Sequence, residues 1–500
     1  MDFVTAFSDA ISAIDSFVWG WAMIVLLLGT HIYSTIRTRF IQRKIVTAVK
    51  LSVSKEDDQA AGDVSQFGAL TAALAATIGT GNIVGVATGL LAGGPGAIFW
   101  MWITGVFGMA TKYSETYISV KYRVKDANGE MLGGAMYALE RGLRNKRIGH
   151  ILGVLFAVFA FIASFGIGAS VQSNALAGVI TAYVPTESGA QIAAANAMIG
   201  VFLVILVGVV IIGGIKSVTR VSERLVPVMA ALYAAGCLVI IWMNGAYVGE
   251  ALSLIVTCAF TGHAAFGGAV GSGIALALQY GFKRGLFSNE SGLGSAPLVA
   301  ANATTKNPAR QALVSMTGTF WDTVVICAIT GIMLVSTMLA NPAIEQGILS
   351  GDITAAAQLT TTAFDSIPVL GPLVLGVGMV LFTYSTMLGW SAYGNRAIMY
   401  LFGKKGIRPY QVVFLLFVFW GCIGGGELVW NISDITNALM AVPNCIAVLA
   451  LGGVIAAGTK HYVYQSHLDE ADETSIPQLA DKPNKAEVMT DYEARKHPRR

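Results

Sequence analysis

Apolar residues run through this chain in blocks of about twenty, separated by short clusters of Lys, Arg, Gly and Pro. At about 1.5 Å per helical residue, a block of that length spans the hydrocarbon core of a bilayer. Eleven spans are read, at roughly 16 to 36, 66 to 92, 97 to 122, 149 to 183, 191 to 215, 222 to 244, 267 to 303, 311 to 340, 369 to 399, 409 to 425 and 430 to 458. Two half-polar stretches, 250 to 265 and 352 to 364, predict short helices lying at the outer surface. Polar residues break the apolar pattern inside the second and seventh spans. The second carries "ATIGTGNIVG", Ala76 to Gly85, and the seventh "KRGLFSNESGLGSAP", Lys283 to Pro297.

Composition sharpens the class. A mean hydropathy of +0.65 with 12% charged residues excludes a soluble globule and predicts an all-α polytopic membrane protein. With the amino terminus outside, Arg37 to Lys55, Lys121 to Lys125, Arg141 to Arg147, Lys216 to Arg224, Lys306 with Arg310, Lys404 to Arg408 and the carboxy-terminal tail share one side. The other side carries Asp2, Asp9, Asp15, Glu187, Glu250, Glu345, Asp352, Asp365 and Glu427 without Lys or Arg, so the basic side is read as cytoplasm. An even number of spans would break this alternation.

The opening "MDFVTAFSDAISAIDSF" has no basic n-region, so the first apolar segment is expected to remain as a helix. Five cysteines and six histidines are scattered without paired spacing, and no transition-metal site is assigned to them. The expected organisation is an extracellular 1–15, an additional helix 16–36, a cytoplasmic linker 37–65, a five-helix group 66–244, an extracellular connection 245–266, a second five-helix group 267–458, and a cytoplasmic tail 459–500 expected to be disordered.

A glycine-rich break in mid-bilayer frees peptide groups that cost several kcal/mol each unless protein, water or ligand pairs with them. Gly79 and Gly81 admit a second reading, close helix packing, but packing does not call for Thr77, Thr80 and Asn82 beside them. In the seventh span, Glu290 with Lys283 or Arg284 forms a candidate internal pair, and Gly292 to Ala303 a candidate second half-helix. The two breaks open corresponding five-helix groups, and an odd group size inverts the second. Paired broken helices in inverted repeats point to a transporter's central site. No enzyme nucleophile, metal cluster or phosphate loop stands at usable spacing, and unlike breaks in one chain argue against a symmetric channel filter. No nucleic-acid partner is expected.

"AATIGTGNIVGVATG", "GGPGAIFWMWITGVFGMATKYSE", "RGLFSNESGLGSAP" and "TYSTMLGWSAYGNRA", in this order, closely resemble the alanine or glycine:cation symporter family of bacteria and archaea. The resemblance spans residues 15 to 460 or so. It implies a LeuT-type five-plus-five inverted repeat with an additional amino-terminal transmembrane helix, located in a prokaryotic plasma membrane (the inner membrane of a two-membrane cell). It also implies sodium-driven uptake of alanine or glycine, with no cofactor beyond the coupling ion. Around the substrate it points to Gly79, Asn82, Gln172, Phe287, Asn289, Thr386, Met387 and Trp390. Gln172 serves equally as a helix-to-helix hydrogen bond. By analogy with the fold, carbonyls of Ala75 and Ile78 with hydroxyls of Ser385 and Thr386 hold sodium; Ser385 has the alternative of bonding its own helix. Phe287, Met387 and Trp390 leave room for little beyond a methyl group. Lys283, Arg284, Glu290 and Asp322 form a possible internal charge network, and a proton-coupled symporter using Glu290 or Asp322 stands as the alternative.

Overall fold

The computed structural model describes residues 3–54, 60–182, 188–261, 270–342, 344, 346, 353–424 and 427–479. Asp2, Glu187, Glu345, Asp352, the end of the fourth span and the connection beyond Thr261 lie outside them. The described residues are helical almost throughout. In order, the helices are α1 Phe3–Val18, α2 Trp21–Arg37, α3 Ile45–Ser52, α4 Gln66–Thr77, α5 Val86–Gly93, α6 Gly96–Lys121, α7 Ala135–Gly142, α8 Lys146–Phe165, α9 Val171–Ala182 and α10 Gly189–Ile211. They continue as α11 Gly214–Met243, α12 Gly245–Thr261, α13 Val270–Asn289, α14 Pro297–Ala300, α15 Pro308–Thr319, α16 Ala328–Ala340, α17 Ile353–Asp365, α18 Leu370–Phe402, α19 Ile407–Ile423, α20 Glu427–Ala450 and α21 Gly452–Gly458. A two-stranded hairpin, β1 Val124–Lys125 with β2 Met131–Leu132, follows α6.

Among the described residues, eight helices are long and apolar enough to cross a bilayer, nine when α4 and the helix beginning at Gly81 are taken as one bent span. The third and seventh expected spans are helical at α6 and α13 but fall outside that set. Each carries internal charge, Lys112 and Glu115 in α6, Lys283 and Arg284 in α13. The half-polar stretches are helices, as expected, at α12 and α17.

Local chemistry explains the boundaries. The Ser65 hydroxyl accepts from Gly68 N at 2.8 Å and starts α4, while Asn307 accepts from Arg310 N and Pro308 opens α15. Helix α4 stops where Ile78 turns extended, φ −74° and ψ 95°, and the chain resumes at Gly81 bent by 53°. The second break is shorter than the sequence suggests: α13 stays helical through Asn289, then Glu290, Gly292 and Gly294 take φ of 54°, 92° and 77°. Left-handed backbone of this kind ends a helix, and Pro297 restarts one.

Helix α6 packs against α13 and α15, and α18 crosses α4. The crossing is close: a Cβ on Gly389 would fall 2.6 Å from Ala76 N. The additional helices α1 and α2 lie against α20, and α2 also against α6.

The tail departs from expectation. Through residue 479 it lies along the end of the bundle that bears the basic loops. The Asp472 carboxylate meets Lys121 at 2.7 Å and Asp469 meets Arg310 at 2.6 Å. Leu479 N donates to Lys125 O at 2.7 Å, and Lys125 N to Pro477 O at 2.8 Å. Sparse large apolar residues argued for disorder, but charge complementarity and an open strand edge supply what hydrophobic burial does not. Residues 480–500 lie outside the described residues.

Candidate functional site

The first break meets the end of α13 at the centre of the bundle through side chains. Asn82 turns back on its own break, its Oδ1 accepting from Gly79 N at 2.9 Å. Its Nδ2 donates to Asp322 Oδ1 at 2.8 Å and Ser288 Oγ at 3.0 Å. Ser288 Oγ and Thr323 Oγ1 donate to Asp322 Oδ2 at 2.8 and 2.7 Å, and Asn289 Nδ2 donates to Thr323 Oγ1 at 3.1 Å. Asp322, fully buried, thus gathers donors from the first break, from α13, and from the π-helical turn Phe320–Cys327 between α15 and α16. A buried carboxylate needs such donors on both oxygens.

Gln172 binds within the protein. Thr80 Oγ1 donates to its Oε1 at 3.3 Å, and its Nε2 donates to Ile167 O at 3.1 Å. It therefore ties the first break to the π-helical turn Gly166–Ser170 preceding α9.

Helix α18 brings its polar face to the end of α4. Thr386 Oγ1 would lie 2.5 Å from a Cβ on Gly79, and it is buried without a hydrogen-bond partner among the described residues. Ser385 Oγ donates to Phe382 O of its own helix at 2.9 Å. A hydroxyl that donates its proton keeps lone pairs for a cation. Only glycine at 79 admits this approach. Phe287 approaches Gly81, and the Trp390 Cβ would lie 2.3 Å from a Cβ on Gly168. Phe287, Met387 and Trp390 are buried in one cluster with Ala76.

The proposed charge network divides. Lys283 pairs not with Glu290 but with Asp15 at 2.7 Å and Asp434 at 3.0 Å. Trp19 Nε1 donates to Asp434 O at 3.1 Å, so this cluster joins the amino-terminal helices to α13 and α20. Arg284 lies over the Phe287 ring, 6.0 Å from its centroid. Lys283 and Glu290 are seven residues apart along the chain, almost two helical turns, and the acids nearest Lys283 come from other helices. Glu290 instead accepts from Ser295 Oγ at 2.5 Å.

The second break is held by residues that the sequence reading passed over. Glu115 Oε2 on α6 accepts from Gly292 N at 3.1 Å, Gly294 N at 3.2 Å and Asn444 Nδ2 at 2.8 Å. Lys112 Nζ donates to Glu290 O at 3.0 Å and pairs with Glu115 Oε1 at 3.2 Å. A carboxylate thus replaces the helix ladder for two unwound amides, and an ammonium takes up a freed carbonyl. The signal was present: Lys112 and Glu115 are charges three apart in an otherwise apolar span, hence on one helical face.

The profile of the Sodium:alanine symporter family matches residues 4–476. Sodium/alanine symporter AgcS of Methanococcus maripaludis is 48% identical over 465 residues, 92% of this chain and 98% of that protein. A Bacillus subtilis relative, described as "Probable sodium/glutamine symporter GlnT", is 35% identical over 90% of each chain. The solved structure of MhsT in complex with L-phenylalanine superposes with a TM-score of 0.56 at 17% identity, covering 80% of this chain and 92% of that one, and shares the LeuT-type fold.

Proposed function

The chain belongs to the sodium:alanine symporter family, and on that premise we propose that it takes up alanine or glycine, driven by sodium, through alternating access. It is a membrane transporter of amino acids and not an enzyme. The finer architecture belongs to the same reading: eleven spans in a five-plus-five inverted repeat behind an additional helix, the basic end facing the cytoplasm of a prokaryote and the amino terminus outside.

The observation that carries the reading is the unpartnered, buried Thr386 hydroxyl aimed at Gly79, where α4 ends. An orphaned oxygen in a bilayer interior is costly unless something pairs with it. Sodium, a hard cation, takes hydroxyl and carbonyl oxygens, here Thr386 and Ser385 with the carbonyls of Ala75 and Ile78. Such an ion clamps α4 to α18, so ion and substrate favour one closed state and raise each other's affinity by the same factor. The substrate lies beside the breaks, bounded by Phe287, Met387 and Trp390. Asn82, Gln172 and Asn289 support the breaks from behind, since their side chains are engaged with protein groups.

Proton coupling through Asp322 is a second reading, favoured by its position between the first break and the end of α13. Labelled alanine uptake into proteoliposomes separates the two. An inward sodium gradient is expected to drive accumulation, with potassium ineffective; accumulation under a proton gradient without sodium overturns the sodium assignment.

A further inference from the structure

The root of the carboxy-terminal segment gathers three metal-binding side chains. Among the described residues the last helical turn is Thr459–Tyr464, Ser466 takes φ 64°, and Glu470 N donates to His467 O at 3.1 Å. This reversal sets the His467 ring parallel to that of His461, with centroids 4.6 Å apart and 9° between the planes. Glu470 faces both rings, Oε1 lying 2.5 Å from His467 Nδ1 and Oε2 3.5 Å from His461 Nε2. One ligand atom from each residue falls within 4.8 Å of the others.

We propose that His461, His467 and Glu470 bind one divalent transition-metal ion of the zinc class, with water completing a tetrahedron. Two imidazole nitrogens and a carboxylate form a donor set that suits zinc and its neighbours rather than magnesium or calcium. Bond lengths of about 2.0–2.2 Å place tetrahedral ligand atoms roughly 3.3 Å apart. The ligand atoms, within 4.8 Å of one another, would close to that spacing as the His461, His467 and Glu470 side chains turn. The backbone itself is braced from two sides. Tyr464 Oη donates to Thr38 O and Arg39 O at 3.0 and 2.7 Å. On the other side, Asn307 Nδ2 donates to Leu468 O and Glu470 O at 2.8 and 2.9 Å. Ligands pre-positioned in this way lose little freedom on binding.

The site stands at the root of the strap that runs to Arg310, Lys121 and Lys125. An ion bound only to the folded root lowers the population of the detached strap about a hundredfold at a concentration of 100 Kd. The site is independent of the transport reading: it uses none of the central residues.

The test uses full-length, tag-free protein in detergent, stripped with a chelator and titrated with Zn2+ by calorimetry and with Co2+ by visible absorption. One zinc per chain is expected, with the intense bands of tetrahedral cobalt. His461→Ala or His467→Ala weakens zinc by more than about tenfold, and the triple variant H461A/H467A/E470Q loses the site. His150→Ala, whose ring pairs with Glu140 alone among the described residues, leaves the titration unchanged and controls for scattered binding. Zinc also slows proteinase K cleavage of the strap in wild type and not in the triple variant. Absence of a stoichiometric site in wild type, or equal zinc affinity in wild type and triple variant, overturns the proposal.

Discussion

Replacing Glu115 tests whether the second break depends on a surrogate acceptor. Its Oε2 receives three donors, Gly292 N, Gly294 N and Asn444 Nδ2, and its Oε1 pairs with Lys112, all in a fully buried setting. Glu115→Ala strands these donors and leaves the ammonium with Glu290 O alone. Each orphaned buried donor costs about 1–3 kcal/mol, and breaking a buried ion pair from one side about 3–5 kcal/mol. These terms overlap, so a net loss of about 3–5 kcal/mol is expected. Glu115→Gln keeps a carbonyl for the glycine amides and should cost roughly half as much. Lys112→Met combined with Glu115→Gln removes the uncompensated charge and is expected to cost less than the sum of the single changes. The assay is thermal unfolding in detergent together with equilibrium binding of labelled alanine. If the reasoning holds, Glu115→Ala lowers both the melting temperature and the affinity, and Glu115→Gln lowers both by less. Wild-type melting and affinity in Glu115→Ala, or strict additivity in the double variant, would refute it.

Four further outcomes are expected. Thr386→Ala raises the sodium concentration for half-maximal alanine uptake more than Ser385→Ala does, since Ser385 already serves its own helix; equal shifts argue against the asymmetry. Met387→Ala admits larger side chains, because each surplus methylene costs about 1–3 kcal/mol in the filled site; competition by leucine or methionine measures this, and an unchanged profile counts against it. Lys283→Met leaves Asp15 and Asp434 facing each other without a cation, so it lowers the melting temperature more than Asp15→Asn; the reverse order is incompatible with this pairing. Burial acts to raise the Asp472 carboxyl, but hydrogen bonds from Lys121 and Thr474 outweigh it and hold the group below the ordinary range. The charged form is therefore favoured in the packed strap. Its contribution is complete above the unpacked value of about 3.9 and fades as pH falls through the depressed one. In protein freed of metal by a chelator, protection of the strap from protease should persist from pH 8 to about 5 and fail only below about 4; loss between pH 7 and 5 would point to another group.

Much of the site was legible because bilayer interiors punish polar residues. The breaks at Ala76 to Gly85 and near Glu290 stand out as the polar, glycine-rich interruptions of two apolar spans. The resemblance points to Thr386, Met387 and Trp390; in the fold Thr386 approaches Gly79, and Met387 and Trp390 share a buried cluster with Ala76 and Phe287. Partnerships were harder to read. Proximity in sequence offers Lys283 or Arg284 to Glu290, yet Lys283 turns to Asp15 and Asp434, which lie 268 and 151 residues away along the chain. Spacing along the chain likewise does not tell that the Asn82 amide bonds both Gly79 and Asp322.

Hydropathy and charge by themselves determined the membrane class, the position of the breaks and the face on which basic residues gather, because these follow from the local cost of each residue in lipid or water. Only the tertiary structure decided which acid meets which base, that Glu115 supports the unwound glycines from another helix, and that His461 and His467 converge on Glu470. Such contacts depend on how distant helices cross and how a left-handed turn redirects the chain, and spacing along a single helix does not encode them.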